Sequence, residues 1–238
     1  MSVEAGVMLV VSLARMLRDG EVVFHGVASP IPAAAVLLAK KTHAPNLVYL
    51  NITGSVDPTP DGLPESTVDP QLLQGTAGFF SLADAFDLAA RGRVDTAFLS
   101  GVQIDRYGRI NMSAIGDYAR PKVRLPGGAG SAFLMETAGR VLLWRTRHDR
   151  KTFVEQVSFI TASGRVDRVV TPLCVFILQG GELKVESIHP WTTPEEIRDN
   201  TGFPVQVDES TPFTLPPTSA EREALGQVDP QKTWMIEF

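Results

Sequence analysis

The chain has 238 residues, 44% hydrophobic and 21% charged, enough for one large soluble domain with a full core. Its net charge of −5 argues against a nucleic-acid groove, which needs a basic surface, and leaves room only for a local basic patch suited to a small anion. The single cysteine, Cys174, excludes an intrachain disulfide, fits a reducing cytoplasm and reads as a buried thiol. The apolar run over 6–14 is too short to span a bilayer, and Glu4 stands where a signal peptide carries positive charge. A cytoplasmic protein with no membrane partner is expected.

Apolar spacing predicts a helix over 4–18, ended by Asp19-Gly20, then a strand over 21–26. A second helix is expected over 31–43, with Pro32 near its start, and a second strand over 46–54. Residues 55–79 are rich in Pro, Asp, Gly and Ser and read as a long functional or mobile loop. A helix over 82–91, a strand over 94–101 and a fourth strand over 122–126 follow. Next come a helix over 131–139 and a strand over 141–145.

This alternation predicts an α/β fold with an open, mostly parallel sheet. Ligands in such folds bind beyond the carboxyl ends of the strands. The exits at Gly26, Gly54, Gly101 and Gly127 are expected to converge on one crevice. Towards the C-terminus, strands over 168–178 and 182–189 flank Gly180-Gly181 as a β-hairpin. Thr193-Pro-Glu-Glu196 reads as a capping box opening a short helix that Gly202 closes. Residues 208–238 read as an extension with one helix around 219–225, so the expected organisation is a single domain over 1–238 with its core over 5–207.

The turn Leu125-Pro-Gly-Gly-Ala-Gly-Ser131 is the strongest chemical signal. Gly127, Gly128 and Gly130 permit positive φ and close backbone approach, and successive N–H groups beside a helix start suit an oxyanion, phosphate or thioester oxygen. A plain strand-to-helix turn explains the same residues equally well. The turn matches neither a Walker loop nor a full dinucleotide fingerprint. Gln103 falls just past a strand end and is a candidate to hold a carbonyl, while Asp105 and Arg106 fit a surface turn before Gly108. Asn51, Thr53 and Ser55 lie at or beyond the second strand's end, placed either for substrate or for turn bonds. Of His25, His43, His148 and His189, none has metal-ligand spacing, and only His25 sits at a strand exit. Arg145, Arg147, His148, Arg150 and Lys151 read as a solvated basic face. No base, nucleophile or metal cluster completes the site, so the chain reads as half of an active site.

Residues 94–111, 125–131, and 169–176 with 185–204 together resemble the β subunit of family I CoA-transferases of the glutaconate type, over about 5–207. The resemblance implies an open α/β sandwich of the CoA-transferase type, paired α and β halves, no permanently bound cofactor, no metal, and coenzyme A as part of the substrate. It also implies a catalytic glutamate at the end of the second strand, where this chain has Ile52 or Asn51; Glu65 is too displaced to replace it. Gly54, Gly127, Gly128, Ala129, Gly130 and Ser131, the last in place of an asparagine, are implied to hold the CoA thioester. Loss of the glutamate resembles a branch whose members open a ring of a CoA-thioester intermediate of steroid catabolism, with the catalytic glutamate on the α subunit of an α2β2 assembly. Asn51, Thr53 and Gln103 would then orient a ring ketone. A true transferase and a non-catalytic scaffold are the alternatives.

Overall fold

A computed structural model describes residues 2–238. The chain forms two compact units. The first comprises the described residues through Phe98, with Thr137–Gly139 and Pro216–Phe238; the second comprises Leu99–Glu136 and Arg140–Leu215.

In the first unit, α1 (Val3–Arg15) starts where the Ser2 hydroxyl accepts the Ala5 N–H at 3.3 Å. Its apolar residues surround the helix, and every residue from Ala5 to Ala14 is buried. Strand β1 (Val22–His25), helix α2 (Pro30–Lys41) and strand β2 (Val48–Asn51) follow, and β1 pairs parallel with β2 from Val22↔Val48 to Phe24↔Leu50.

The stretch 55–79 is not the structureless loop its composition suggests. It folds back as β3 (Ser55–Val56), antiparallel to β2, then makes a 3-10 turn at Pro70–Leu73. It closes with β4 (Gly78–Phe79), antiparallel to β3. The Thr76 hydroxyl holds this fold-back, donating to the Gly78 carbonyl at 2.6 Å and accepting from the Val56 N–H at 3.0 Å. Helix α3 (Leu82–Ala90) opens with a full Ser81/Asp84 capping box, and β5 (Thr96–Leu99) pairs parallel with β1. Strand β1 is thus flanked on both sides and carries its carboxyl end in the middle of the ladder.

The second unit starts with the hairpin of β6 (Gln103–Asp105) and β7 (Ile110–Asn111). A small ladder of β8 (Ala114–Ile115) against β9 (Val123–Arg124) follows. The expected strand over 122–126 is therefore only two residues long and antiparallel. Pro121 and Pro126 bracket it without N–H donors, and both its residues face solvent.

Beyond the short helix α4 (Ser131–Thr137), strand β10 (Arg140–Trp144) is followed by β11 (Phe153–Val154), which pairs with β6, and by β12 (Val166–Val170), parallel to β10. Strands β13 (Cys174–Gln179) and β14 (Glu182–Ile188) form the expected hairpin, with Gly180 and Gly181 at φ +66° and +84°. The expected single strand over 168–178 is two, because the Thr171 hydroxyl accepts the N–H groups of Leu173 and Cys174 and turns the chain.

Helix α5 (Pro194–Asn200) is capped by the Thr193 hydroxyl, which accepts the Glu196 N–H at 3.2 Å. Gly202 does not close α5 by a left-handed turn. It is glycine because a Cβ there would stand 2.3 Å from the Phe153 carbonyl oxygen. Helix α6 (Ser219–Val228) returns to the first unit, tied to α1 by the Arg15–Glu221 ion pair at 2.7 Å.

The elements give the α/β fold with a mostly parallel sheet that the sequence predicts. The last segment is no loose tail. Trp234 is fully buried over Gly6 of α1, where an added Cβ would lie 2.1 Å from the indole. Gly6→Ala is therefore expected to destabilise the chain by about 2 kcal/mol, despite alanine's better helix propensity. Urea unfolding checks this; an unshifted midpoint would show that Trp234 has room to move. Among the described residues no helix is long and apolar enough to cross a membrane.

Candidate active site

The first unit places Asn51 and His25 side by side, each one step beyond the paired residues Phe24↔Leu50 at the carboxyl ends of β1 and β2. Tyr49 lies two residues before Asn51, on the same face of β2. All three side chains are buried.

Hydrogen-bond directions follow from what each group can donate. His25 Nδ1 lies 2.9 Å from the Gly26 carbonyl oxygen, so Nδ1 carries the proton and Nε2 accepts. The Tyr49 hydroxyl donates to Nε2 at 2.5 Å and accepts from Asn51 Nδ2 at 2.8 Å. Asn51 Oδ1 accepts from the Thr53 N–H at 2.9 Å and from the Thr53 hydroxyl at 2.7 Å. The Ser55 hydroxyl is then left to donate to Thr53 Oγ1 at 3.0 Å.

The chain Ser55–Thr53–Asn51–Tyr49–His25 is uncharged throughout. Burial pushes the His25 pKa down to about 4 and the Tyr49 pKa well above its ordinary value. Among the described residues no carboxylate is hydrogen-bonded into this chain. Asp57, the next acid along, is spent on Lys40 Nζ at 2.7 Å and the Tyr49 N–H at 2.9 Å. Glu65 is exposed and lines a separate cavity of about 460 Å³ with residues of the C-terminal segment.

Gly54 closes the turn after β2 at φ +92°, and a Cβ there would stand 2.5 Å from the Phe80 carbonyl oxygen. The loop after β1 is held by the Ser29 hydroxyl, which donates to the Val27 carbonyl oxygen at 2.8 Å, and carries Ala28 at φ +50°. Tyr49 went unnoticed in the sequence; its period-two alternation with Asn51 was the available signal.

The second unit carries the glycine turn. Positive φ falls on Gly127 at +91° and on Ala129 at +42°, not on Gly128. The Gly127 N–H is used internally, donating to the Met112 carbonyl oxygen at 2.7 Å. The N–H groups of Gly128, Ala129 and Gly130 have no acceptor among the described residues. Ser131 Oγ is buried beside them with no hydrogen-bond partner. A Cβ on Gly128 would stand 2.7 Å from Thr161 Cγ2 and 2.9 Å from Ser131 Oγ. The turn is thus a pocket of bare donors shaped to the absence of a side chain, the arrangement that binds a developing oxyanion.

Gln103 is nearly buried, and its Oε1 accepts from Asn111 Nδ2 at 2.8 Å and the Ser158 N–H at 3.1 Å. Asp105 is fully buried and builds the Gly108 turn by accepting from the Tyr107 and Arg109 N–H groups. Cys174 is fully buried, as expected, and burial raises its thiol pKa. The solvated cluster over 145–151 is not one surface, because His148 is buried between the Thr171 and Thr201 hydroxyls at 2.9 and 3.0 Å. Of the four expected strand exits, Gly26 and Gly54 lie at adjacent strands of the first unit. Gly101 and Gly127 belong to the second unit. Among the described residues no group of His, Cys, Asp and Glu is arranged to hold a metal.

Residues 7–200 match the coenzyme A transferase family. The chain is 33% identical to one of the two kinds of subunit of the 3-oxoadipate CoA-transferase of Pseudomonas knackmussii, over 92% of this chain and 90% of that protein. It is 28% identical to the IpdB component of the cholesterol ring-cleaving hydrolase of Mycobacterium tuberculosis, over 93% of each. The crystal structure of the decarboxylase AibA/AibB superposes with a TM-score of 0.93 at 35% identity, over 99% of each chain.

Proposed function

Because this chain belongs to the coenzyme A transferase family, we propose that it is the β subunit of a heteromeric enzyme that cleaves a carbon–carbon bond in an acyl-CoA thioester. The proposed reaction is the hydrolytic opening of a ring in a steroid-derived substrate, in the cytoplasm. One observation carries this reading: the strand end where the family's transferases are expected to hold a glutamate holds Asn51, locked into an uncharged hydrogen-bond chain. An amide cannot form the acyl anhydride that transfer requires.

In the proposed reaction a carboxylate on the α subunit takes a proton from water, and the hydroxide adds to the ring ketone. The bond between that carbon and the carbon next to the thioester then breaks. Its electron pair moves into the thioester as an enolate, which is reprotonated on carbon. The bare N–H groups of Gly128, Ala129 and Gly130, with Ser131 Oγ, receive the enolate oxygen. Asn51, Thr53 and Gln103 shape the ketone end, and Gly54 leaves the backbone open after β2. The assembly is an α2β2 heterotetramer in this reading.

A second reading is decarboxylation, favoured by the 35% identity over 99% of the chain to a component of AibA/AibB. The same cradle would hold the same enolate, with carbon dioxide leaving and no water added.

The test is the co-expressed α and β pair, given a ring-bearing β-keto acyl-CoA in ¹⁸O water with no acyl acceptor. Ring opening with one labelled oxygen in the product is expected. Loss of carbon dioxide from a carboxylated acyl-CoA would establish the second reading. Transfer of CoA to an added free acid, with a hydroxylamine-trapped acyl-enzyme, would overturn both.

A further inference from the structure

Resting on the thioester reading of the glycine turn, we infer that the basic hairpin ahead of it binds the nucleotide end of coenzyme A, the adenosine carrying a 3′-phosphate and a 5′-diphosphate. The hairpin is the β8–β9 ladder, paired Ala114↔Arg124 and Ile115↔Val123, with residues 116–122 as its tip.

Two kinds of group meet there. Tyr118 stacks on Phe159 with ring centroids 4.6 Å apart and planes 21° from parallel. The Arg124 guanidinium lies 4.7 Å from the Tyr118 centroid, and its Nη2 donates to the Tyr118 carbonyl oxygen at 3.2 Å. Tyr118 is still 52% exposed with both groups in place, which leaves stacking area for a purine. Arg120, Lys122 and Arg124 are all exposed, and among the described residues none pairs with a carboxylate. The one acid at the tip, Asp117, is turned back to accept the Ala119 N–H at 2.9 Å.

Three uncompensated cations on a chain of net charge −5 are a local departure from its overall field. Arginine beside an aromatic stack matches phosphate and purine together. A solvated hairpin would gain nothing from holding Arg124 flat over the ring.

The hairpin and the turn form one continuous strip. The Leu125 N–H donates to the Ser113 carbonyl oxygen and the Gly127 N–H to that of Met112. The segment behind them is tied on by Thr161, whose hydroxyl accepts the Met112 N–H at 2.8 Å and bonds Ser113 Oγ at 2.7 Å. Three residues separate Arg124 from Gly127, so their Cα atoms lie within about 11 Å. The long pantetheine arm spans such a gap with slack to fold.

The experiment titrates the assembled complex with adenosine 3′,5′-bisphosphate by calorimetry, wild type against the R120Q/K122Q/R124Q variant. It then compares the kinetics of the acyl-CoA with those of the matching acyl-pantetheine, which lacks the nucleotide. The variant is expected to bind the bisphosphate about tenfold or more weakly, with a shallower salt dependence. The KM for acyl-CoA is expected to rise by a similar factor, and that for acyl-pantetheine to stay within about twofold. Equal affinity of both proteins for the bisphosphate would overturn the inference while leaving the thioester reading standing. An equal rise in KM for both substrates would also overturn it, because the hairpin would then act through structure alone. A wild-type complex that binds no acyl-CoA would overturn the thioester reading itself, and the inference with it.

Discussion

Gly128→Val is expected to lower the turnover of the assembled complex by about 100-fold or more while leaving the subunits associated. The cause is steric. The backbone at Gly128 is not in the left-handed region, so a side chain meets no conformational penalty there. A Cβ at that position would nonetheless stand 2.7 Å from Thr161 Cγ2 and 2.9 Å from Ser131 Oγ. The two further methyl groups of valine would fill the space in front of the N–H groups of Ala129 and Gly130. A substrate oxygen could then no longer reach donors that act only as charge develops.

Such a loss falls equally on kcat and kcat/KM, because the interaction is made in the transition state. Steady-state kinetics on the purified complex, with assembly checked by size-exclusion chromatography, measures it. An unchanged turnover in an intact complex would remove the oxyanion role from the turn and strengthen the scaffold alternative.

The second large effect is on stability in mild acid. Three histidines are buried neutral: His25 with a pKa pushed down to about 4, His148 to about 3 and His189 to about 4, each chiefly by burial. His189 donates from Nε2 to the Thr171 carbonyl oxygen at 2.8 Å and accepts at Nδ1 from Thr214, which fixes it in the neutral form. Asp149 opposes the shift at His148 only in part.

In the unfolded chain all three titrate near pH 6.5. Between about pH 6.5 and 4 the unfolded state therefore binds more protons than the folded one, and stability falls as pH falls. Each proton contributes about 1.4 kcal/mol per pH unit, so three approach about 4 kcal/mol per unit at the steepest point. Against a typical total of about 5–15 kcal/mol, that is enough to unfold the chain near pH 5.

Glu221 does not act in this window. Its hydrogen bonds to Arg15 hold its pKa near 2, so its stabilisation is complete above about pH 4.5 and is lost only below that. Urea unfolding at pH 7, 6 and 5 tests the expectation, with proton uptake on unfolding read by potentiometry. His25→Gln should remove about one third of the pH slope. Equal unfolding free energies at pH 7 and pH 5 would mean that the histidines take up protons without unfolding the chain.

Much of the framework could be read without coordinates, because it depends on short-range chemistry. The apolar run in α1 and the Ala-rich α2, opened by prolines, form helices where periodicity placed them. The Gly180-Gly181 pair turns its hairpin because that geometry needs positive φ twice. Bare donors in the glycine turn and the missing carboxylate at the end of β2 were also visible, one as a motif and the other as a departure from the family pattern.

What the sequence could not decide were effects of groups far apart along the chain. Thr76 turning a Pro- and Gly-rich stretch into edge strands, and Thr171 splitting an apolar run, are hydroxyl bonds that no periodicity encodes. The burial of Trp234 over Gly6 joins the two ends of the sequence. The charge state of the site is equally a product of tertiary structure. His25, Tyr49 and Asn51 are ordinary polar residues in a string of letters. Parallel pairing of β1 with β2 removes them from water together, and the cost of burying charge makes the whole chain neutral.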